Sequence, residues 1–198
     1  GGPIIDNKDG YLFSVQSSKE SIDKLDEFKD IDIKIDVEPR IFSGKYSNLK
    51  TAWWELRWIV NPGKNTSYLV EKINSMDQDK VIVSGAFLPK WLRRRVGQEV
   101  NGKKNYICYT SMTPGVEWLV LAYYRFMIKK ESKDNYFAIG LANHGVFGNE
   151  NTYKSKDKFI RDIEFMKKNR VRNIVIYSLE GIIKRDWLDA VKDYVGSF

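Results

Sequence analysis

Three carboxylates stand where two predicted β-strands end. Asp36 and Glu38 close one strand, and Glu180 closes another. Two carboxyl groups facing each other across a cleft can divide acid–base work, one with a raised pKa acting as acid and the other as base or nucleophile. Because this chemistry cleaves glycosidic bonds, these three residues are the predicted catalytic set. The alternative is a structural ion network in which Asp36 and Glu38 pair with Lys34 and Arg40.

Ligand-binding residues are predicted around the same strand ends. Asn143 and His144 follow a strand in a glycine-flanked loop, where an imidazole can bind a sugar hydroxyl or shuttle a proton. A plain loop histidine is the alternative. Trp54 and Trp58 lie one helical turn apart, away from the apolar stripe of their helix, and either line the site or pack against a neighbour. The predicted substrate-binding residues are His144, Arg40, Asn143, Trp54 and Lys34.

The chain contains one cysteine, Cys108, and one histidine. Metal sites built on several histidine or cysteine ligands are therefore excluded, whereas a magnesium or calcium site made of carboxylates alone is not. We predict no metal and no cofactor. A single cysteine cannot form an internal disulfide, so it says little about the compartment.

Charge and hydropathy narrow the class of partner. The net charge is +7 and 42% of the residues are hydrophobic, as in ordinary globular proteins. The dense basic run Arg93–Arg95 is typical of a solvated helix face, and the other charges are mixed, which argues against nucleic acid as a partner. The sequence lacks a run of about 18 apolar residues, so we expect no membrane span.

Short segments rich in β-branched and aromatic residues alternate with helical patterns. The six predicted strands are 11–16, 31–38, 81–86, 106–112, 137–142 and 173–180. The helical patterns cover 18–29, 48–60, 66–76, 89–100, 113–130, a segment capped by Ser155, and 186–195. This alternation requires mostly parallel strands joined by crossovers, either in an open sheet or in a barrel.

The second predicted strand favours the barrel. From Ile31 to Glu38, isoleucine and valine alternate strictly with charged residues. A central strand of an open sheet should be apolar on both faces, whereas a barrel strand turns one face into a lumen that is wet near its mouth. An edge strand of an open sheet is the alternative. Along the last predicted strand, one face also turns from Ile174 and Ile176 to Ser178 and Glu180, as expected of a barrel mouth.

A complete eightfold barrel usually needs about 250 residues, and the chain has 198. We therefore predict a TIM-type (β/α) barrel of about six βα units, incomplete or truncated. Residues 1–9, which begin Gly1-Gly2-Pro3, are interpreted as a leader or expression scar. Residues 10–198 are predicted to be a single barrel-like domain of a longer protein, and an extracytoplasmic module is favoured.

The predicted helix from Thr113 to Lys130 is apolar nearly all round. Thr113 followed by Pro114 is a typical helix start, with a capping hydroxyl and proline in the first turn. A helix of this composition is buried on more than one side. We expect it to contact another domain or subunit.

Two motifs resemble the barrel domains of the glycoside hydrolase superfamily: Ile35-Asp36-Val37-Glu38-Pro39-Arg40 and Tyr177-Ser178-Leu179-Glu180-Gly181. The stretch 137–187 also resembles barrel modules of unknown activity appended to some microbial membrane proteins. The Asn-Glu acid–base pair that one large hydrolase clan carries on a strand end is absent, and Asn149-Glu150 lies in a predicted loop instead. The resemblance implies a glycosidase-like, carbohydrate-active barrel. The alternative is a non-catalytic barrel that binds a glycan or a protein.

Overall fold

A computed structural model of the protein describes residues 17–37, 60, 63–143 and 151–195. The chain divides into two compact units, Gly1–Asn105 and Tyr106–Phe198. The described strands are parallel, follow chain order in an α/β sheet and do not close on each other. They are β1 Ile33–Asp36, β2 Val81–Ala86, β3 Lys103–Ile107, β4 Tyr136–Gly140 and β5 Asn173–Tyr177. Barrel closure stays a prediction, and the first predicted strand, 11–16, lies outside the described residues.

Helices alternate with these strands, as the sequence predicted. They are α1 Lys19–Asp23, α2 Thr66–Asn74, α3 Lys90–Arg95, α4 Glu117–Ile128, α5 Lys156–Lys168, α6 Leu179–Lys184 and α7 Leu188–Val195. The 3-10 helices Lys24–Phe28 and Thr110–Met112 add to them. The predicted helix over 48–60 falls outside the described residues except for its last position.

The first unit buries one face of its strands. Ile35 and Val37 are buried, Lys34 is exposed and Asp36 is half-buried, so the predicted alternation of the second strand is confirmed. The buried face packs against apolar side chains from α1 and α2, among them Ile22 and Leu69. The face that carries the charged residues therefore points away from this core.

Arg93 departs from the prediction of a solvated basic face. Its side chain is only 2% exposed, and its Nε donates a hydrogen bond to Oε2 of Glu99 at 2.9 Å. A second bond runs from Nη1 to the carbonyl of Leu88. Arg94 and Arg95 are exposed. The prediction is wrong for Arg93 because this position faces inward on α3, where a buried cation needs a charged partner.

The second unit has an apolar core between β4 and α5. Phe137, Ala138 and Ile139 of β4 are buried, and Gly140 pairs in register with Tyr177 of β5. The predicted cap of α5 is confirmed, since the Ser155 side chain accepts a hydrogen bond from the Lys158 amide. The side chains that face the core from α5 are Phe159, Asp162, Ile163 and Met166.

Several boundaries differ from the predicted ones, including the following three. The fourth predicted strand ends at Ile107, and 110–112 form a 3-10 turn. The sixth ends at Tyr177, because Ser178 caps α6 and accepts a hydrogen bond from the Gly181 amide. Helix α4 begins at Glu117 instead of Thr113. The backbone of Gly115 has a φ of +91°, which breaks the helix that Thr113 and Pro114 would start.

Helix α4 is less enclosed than its composition predicted. Met127 and Ile128 are buried, but Trp118, Leu119 and Phe126 are 71%, 55% and 56% exposed. Among the described residues, the prediction of burial on more than one side is therefore wrong, and contact with a further domain or subunit stays a prediction. Across the described ranges, we find no helix that is both long and apolar enough to span a membrane.

Candidate functional site

Four predicted site residues lie in the described part of the chain. Lys34 and Asp36 are in β1, Asn143 follows β4, and Glu180 is in the first turn of α6. The other four lie outside the described residues: Glu38, Arg40, Trp54 and His144. The structure therefore supplies geometry for one half of the predicted site.

Asp36 forms an ion pair within its own strand. Its Oδ1 lies 3.0 Å from Nζ of Lys34, and the two side chains are 34% and 49% exposed. This contact matches the structural alternative for these two residues. Solvent screens such a pair strongly, so it adds at most about 1 kcal/mol to folding.

A polar row crosses the first unit from β1 to β3; we define it as Asp36, Ser84 and Asn105. Asp36 and Ser84 are partners in the register of β1 and β2, so their side chains share a face. Nδ2 of Asn105 donates to Oγ of Ser84 at 3.1 Å. Both of these residues are buried, and Oδ1 of Asn105 lacks a hydrogen bond among the described residues. The row therefore holds an acceptor whose hydrogen-bonding capacity is unused.

Glu180 lies on the surface of α6. Its Oε1 is 2.5 Å from Nζ of Lys184, one turn further along the helix, and both side chains are about two-thirds exposed. Gly181 packs tightly against the residues after β4, because a Cβ at this position would lie 2.7 Å from the amide nitrogen of Asn143. The structure thus brings Asn143 beside the start of α6, as the order of the strand ends predicted.

The second unit carries a pocket near the carboxyl end of β4, which we call the β4 pocket. It holds about 240 Å³ of space, including its open mouth. Much of this space is open to solvent and the enclosed part has room for about one water molecule, so the site is a shallow polar depression that contacts only part of a ligand. Its lining residues are Thr110, Ser111, Pro114, Glu117, Thr152, Tyr153, Lys154, Lys158 and Arg161.

A buried carboxylate organises one wall of the β4 pocket. The Asp162 side chain is 2% exposed. Its Oδ2 accepts hydrogen bonds from the hydroxyls of Thr110 and Tyr153, the second at 2.8 Å. Its Oδ1 accepts from Nε and Nη2 of Arg161 at 3.0 and 2.8 Å. Four donors compensate the burial of this charge and fix the three side chains around it.

Arg161 is held in place without using all its donors. Nη2 also lies 3.3 Å from Oγ1 of Thr110. Nη1 has no hydrogen-bond partner among the described residues, and the side chain is 37% exposed along the pocket. A guanidinium that is locked on one edge and open on the other is preorganised for a polar ligand.

The opposite charged pair of the β4 pocket is Lys158 with Glu117. The ammonium of Lys158 donates to Oε1 of Glu117, whose side chain is 13% exposed. This hydrogen bond, with help from backbone amides including that of Gly115, lowers the pKa of Glu117 to about 2. The pocket therefore presents a fixed carboxylate next to fixed cations.

Three hydrogen bonds tie residues of the pocket to the end of β4. The hydroxyl of Ser111 donates to the carbonyl of Gly140 and accepts from the amide of Leu141, both at 2.7 Å. The amide of Tyr153 donates to the carbonyl of Leu141 at 2.8 Å. Burial, followed by the charge of Asp162, raises the pKa of the Tyr153 hydroxyl, so this group remains a hydrogen-bond donor.

The strand predicted over 106–112 includes Thr110 and Ser111, but no site prediction from the sequence included Asp162, Arg161, Tyr153 or Lys158. One signal was available for Asp162. It lies three residues after Phe159 and one before Ile163, within the apolar stripe of α5, so its carboxylate had to be buried and compensated. Helical spacing in the sequence predicts one apolar face of Phe159, Ile160, Ile163 and Met166, but Ile160 is instead 37% exposed.

Comparisons with known proteins add no relative: no protein-family model, curated protein or solved structure matches this chain. The resemblance to glycoside hydrolases thus stays a prediction. Within the described ranges, no group of three or more histidine, cysteine, aspartate or glutamate side chains could hold a metal ion.

Proposed function

We propose that this protein is a carbohydrate-binding α/β domain and that the β4 pocket receives the sugar. The proposal keeps the carbohydrate partner and the non-catalytic alternative predicted from the sequence. A closed or nearly closed barrel remains part of it, with the pocket at the carboxyl side of the strands, where parallel α/β proteins bind ligands.

The observation that carries the proposal is the pairing of every charge that faces the β4 pocket from α4 and α5. Glu117 is paired with Lys158, and Asp162 with Arg161. A sugar hydroxyl both donates and accepts hydrogen bonds, so it needs fixed acceptors beside fixed donors. Two preorganised pairs of opposite sign offer this pattern.

Binding is favoured over hydrolysis by the surroundings of the two described carboxylates of the predicted catalytic set. A glycosidase acid needs an environment that keeps its proton near neutral pH, usually a shielded apolar pocket. Glu180 is exposed to solvent, Asp36 is half-buried, and each is paired with a lysine. The catalytic hypothesis therefore depends most on Glu38, which lies outside the described residues.

The proposal is tested on a glycan array, followed by affinity measurements on the best ligand with wild type, Arg161→Gln and Lys154→Gln. Arg161→Gln should weaken binding at least about tenfold, because a charged hydrogen bond to ligand is lost. Lys154 is exposed and lines the pocket, so Lys154→Gln should weaken binding by about two- to fivefold without affecting folding.

The matched control is Arg172→Gln, which removes the same charge from an exposed site of the second unit that does not line the pocket. It should bind like wild type. Absence of any bound glycan, or equal affinity in Arg161→Gln and Arg172→Gln, would overturn the proposal. Incubating the bound glycans with wild type and Glu180→Gln tests turnover in the same experiment, and product formed only by wild type would restore the catalytic hypothesis.

A further inference from the structure

Helix α4 turns a continuous apolar and basic face to solvent. At about 100° per residue, the exposed positions fall within one arc of about 140°. We define these residues as the α4 face: Trp118, Leu119, Ala122, Arg125 and Phe126, with Lys129 and Lys130 just after the helix. The opposite side packs into the unit through Met127 and Ile128. A helix anchored on one side thus leaves large apolar side chains uncovered on the other.

Cations accompany the apolar side chains of this face. Arg125, Lys129 and Lys130 are exposed, and Nζ of Lys130 lies 3.9 Å from the ring centroid of Phe126. The acidic residue of α4, Glu117, lies outside the arc and is paired with Lys158. The face is therefore positive as well as apolar, in a chain whose net charge is +7.

We propose that the α4 face docks on a membrane surface that contains anionic lipid. Tryptophan, leucine and phenylalanine can enter the boundary between headgroups and acyl chains, while neighbouring arginine and lysine contact anionic headgroups. The helix lies flat on the surface and does not cross it.

The composition of the α4 face favours lipid over a protein partner. Specific protein interfaces are enriched in aromatic residues and arginine but depleted in lysine. Two of the three cations on the α4 face are lysines, and the face holds no acidic residue. Its donors are the tryptophan indole and three cations, groups that are typical of residues at a membrane boundary.

The test is co-sedimentation of the full chain with vesicles of phosphatidylcholine alone and of phosphatidylcholine with about 30% phosphatidylserine. We expect binding to the anionic vesicles and little to the neutral ones. Lys129→Gln/Lys130→Gln should weaken binding by about 25-fold, since each lysine near an anionic surface contributes about fivefold. Trp118→Ala should weaken it by at least about tenfold, because its apolar contact is lost.

Two matched control variants distinguish an effect of the α4 face on vesicle binding from a general effect of losing charge or apolar surface. Lys167→Gln/Lys168→Gln removes the same charge from the exposed end of α5, and Ile183→Ala truncates a side chain that is 60% exposed on α6. Both should bind vesicles like wild type. Equal losses in the control and α4 variants would contradict the proposal, as would absence of binding to anionic vesicles. A wild-type dimer that Trp118→Ala dissociates, without vesicle binding, would assign the face to a second copy of the chain.

Discussion

The polar row and the β4 pocket use similar side chains in opposite ways. In the polar row, the charged group is the half-buried Asp36, which pairs with the exposed Lys34, and the buried Oδ1 of Asn105 has no donor among the described residues. In the pocket, the charged group is the buried Asp162, and four donors surround it. The pocket is therefore preorganised at the cost of burying a charge fully, whereas the row leaves its carboxylate partly in solvent.

We therefore predict that removing a carboxylate destabilises the fold more in the β4 pocket than in the polar row. Asp162→Ala should lower the free energy of unfolding by about 3 kcal/mol, because Arg161 loses its partner and two buried hydroxyls lose their acceptor. Asp36→Ala should cost about 1 kcal/mol or less. Urea unfolding of both variants measures the contrast, and equal losses would mean that the two regions are organised alike.

A second contrast concerns the glycines beside the two regions. In Gly181→Ala the new Cβ would lie 2.7 Å from backbone atoms of Ala142 and Asn143, so the chain itself must move. We expect a loss of about 2 kcal/mol.

In Gly85→Ala the new Cβ would instead meet Nε2 of Gln98 at 2.3 Å. This side chain can rotate away at the expense of its hydrogen bond to the carbonyl of Val37, and we expect a loss of about 1 kcal/mol. The melting temperatures of the two variants compare the effects, and a larger loss in Gly85→Ala would contradict the account of Gly181.

A smaller effect is expected within the polar row. Ser84→Ala removes the acceptor for Nδ2 of Asn105. The Asn105 amide then needs a water molecule as its hydrogen-bond acceptor. The free energy of unfolding should fall by about 1 kcal/mol. The double variant Ser84→Ala/Asn105→Leu should recover part of this loss, because both polar partners are then absent. Further destabilisation in the double variant would show that Asn105 has a role the row does not explain.

The smallest effect is expected from pH. Because the pKa of Glu117 is lowered to about 2, its pairing with Lys158 stabilises the folded unit above the unfolded value of about 4.5 and is lost only as pH falls through about 2. Ligand affinity of the β4 pocket should therefore change less than about twofold between pH 7 and pH 5. Titrations at several pH values check this, and a steep loss near pH 6 would point to another titrating group.

Local signals in the sequence predicted much of the fold. Strand β2 was predicted to the residue, and the alternation in β1 and the cap of α5 at Ser155 were confirmed. These features depend on side chains within a few positions of each other. Predicted boundaries were wrong where another local motif ends the element early. Ser178, for example, caps α6, so β5 ends before Glu180.

The candidate site was less predictable, because its geometry depends on distant partners. Asp162 receives one donor from Tyr153, nine residues away, and another from Thr110, 52 residues away. Periodicity alone placed Ile160 on the buried stripe and overlooked the aspartate that occupies it. A buried carboxylate becomes visible only when the loops that compensate it are in place.

The most direct test of the proposed function is amide chemical-shift mapping of the isotope-labelled 23.1 kDa chain with its best-binding glycan. Our account predicts that the shifted amides cluster at 110–117 and 152–161, around the β4 pocket, and that β1 and β2 stay unchanged. Shifts confined to the polar row, with the pocket unaffected, would contradict the proposed function. They would indicate that the ligand binds in the first unit, beside Asp36.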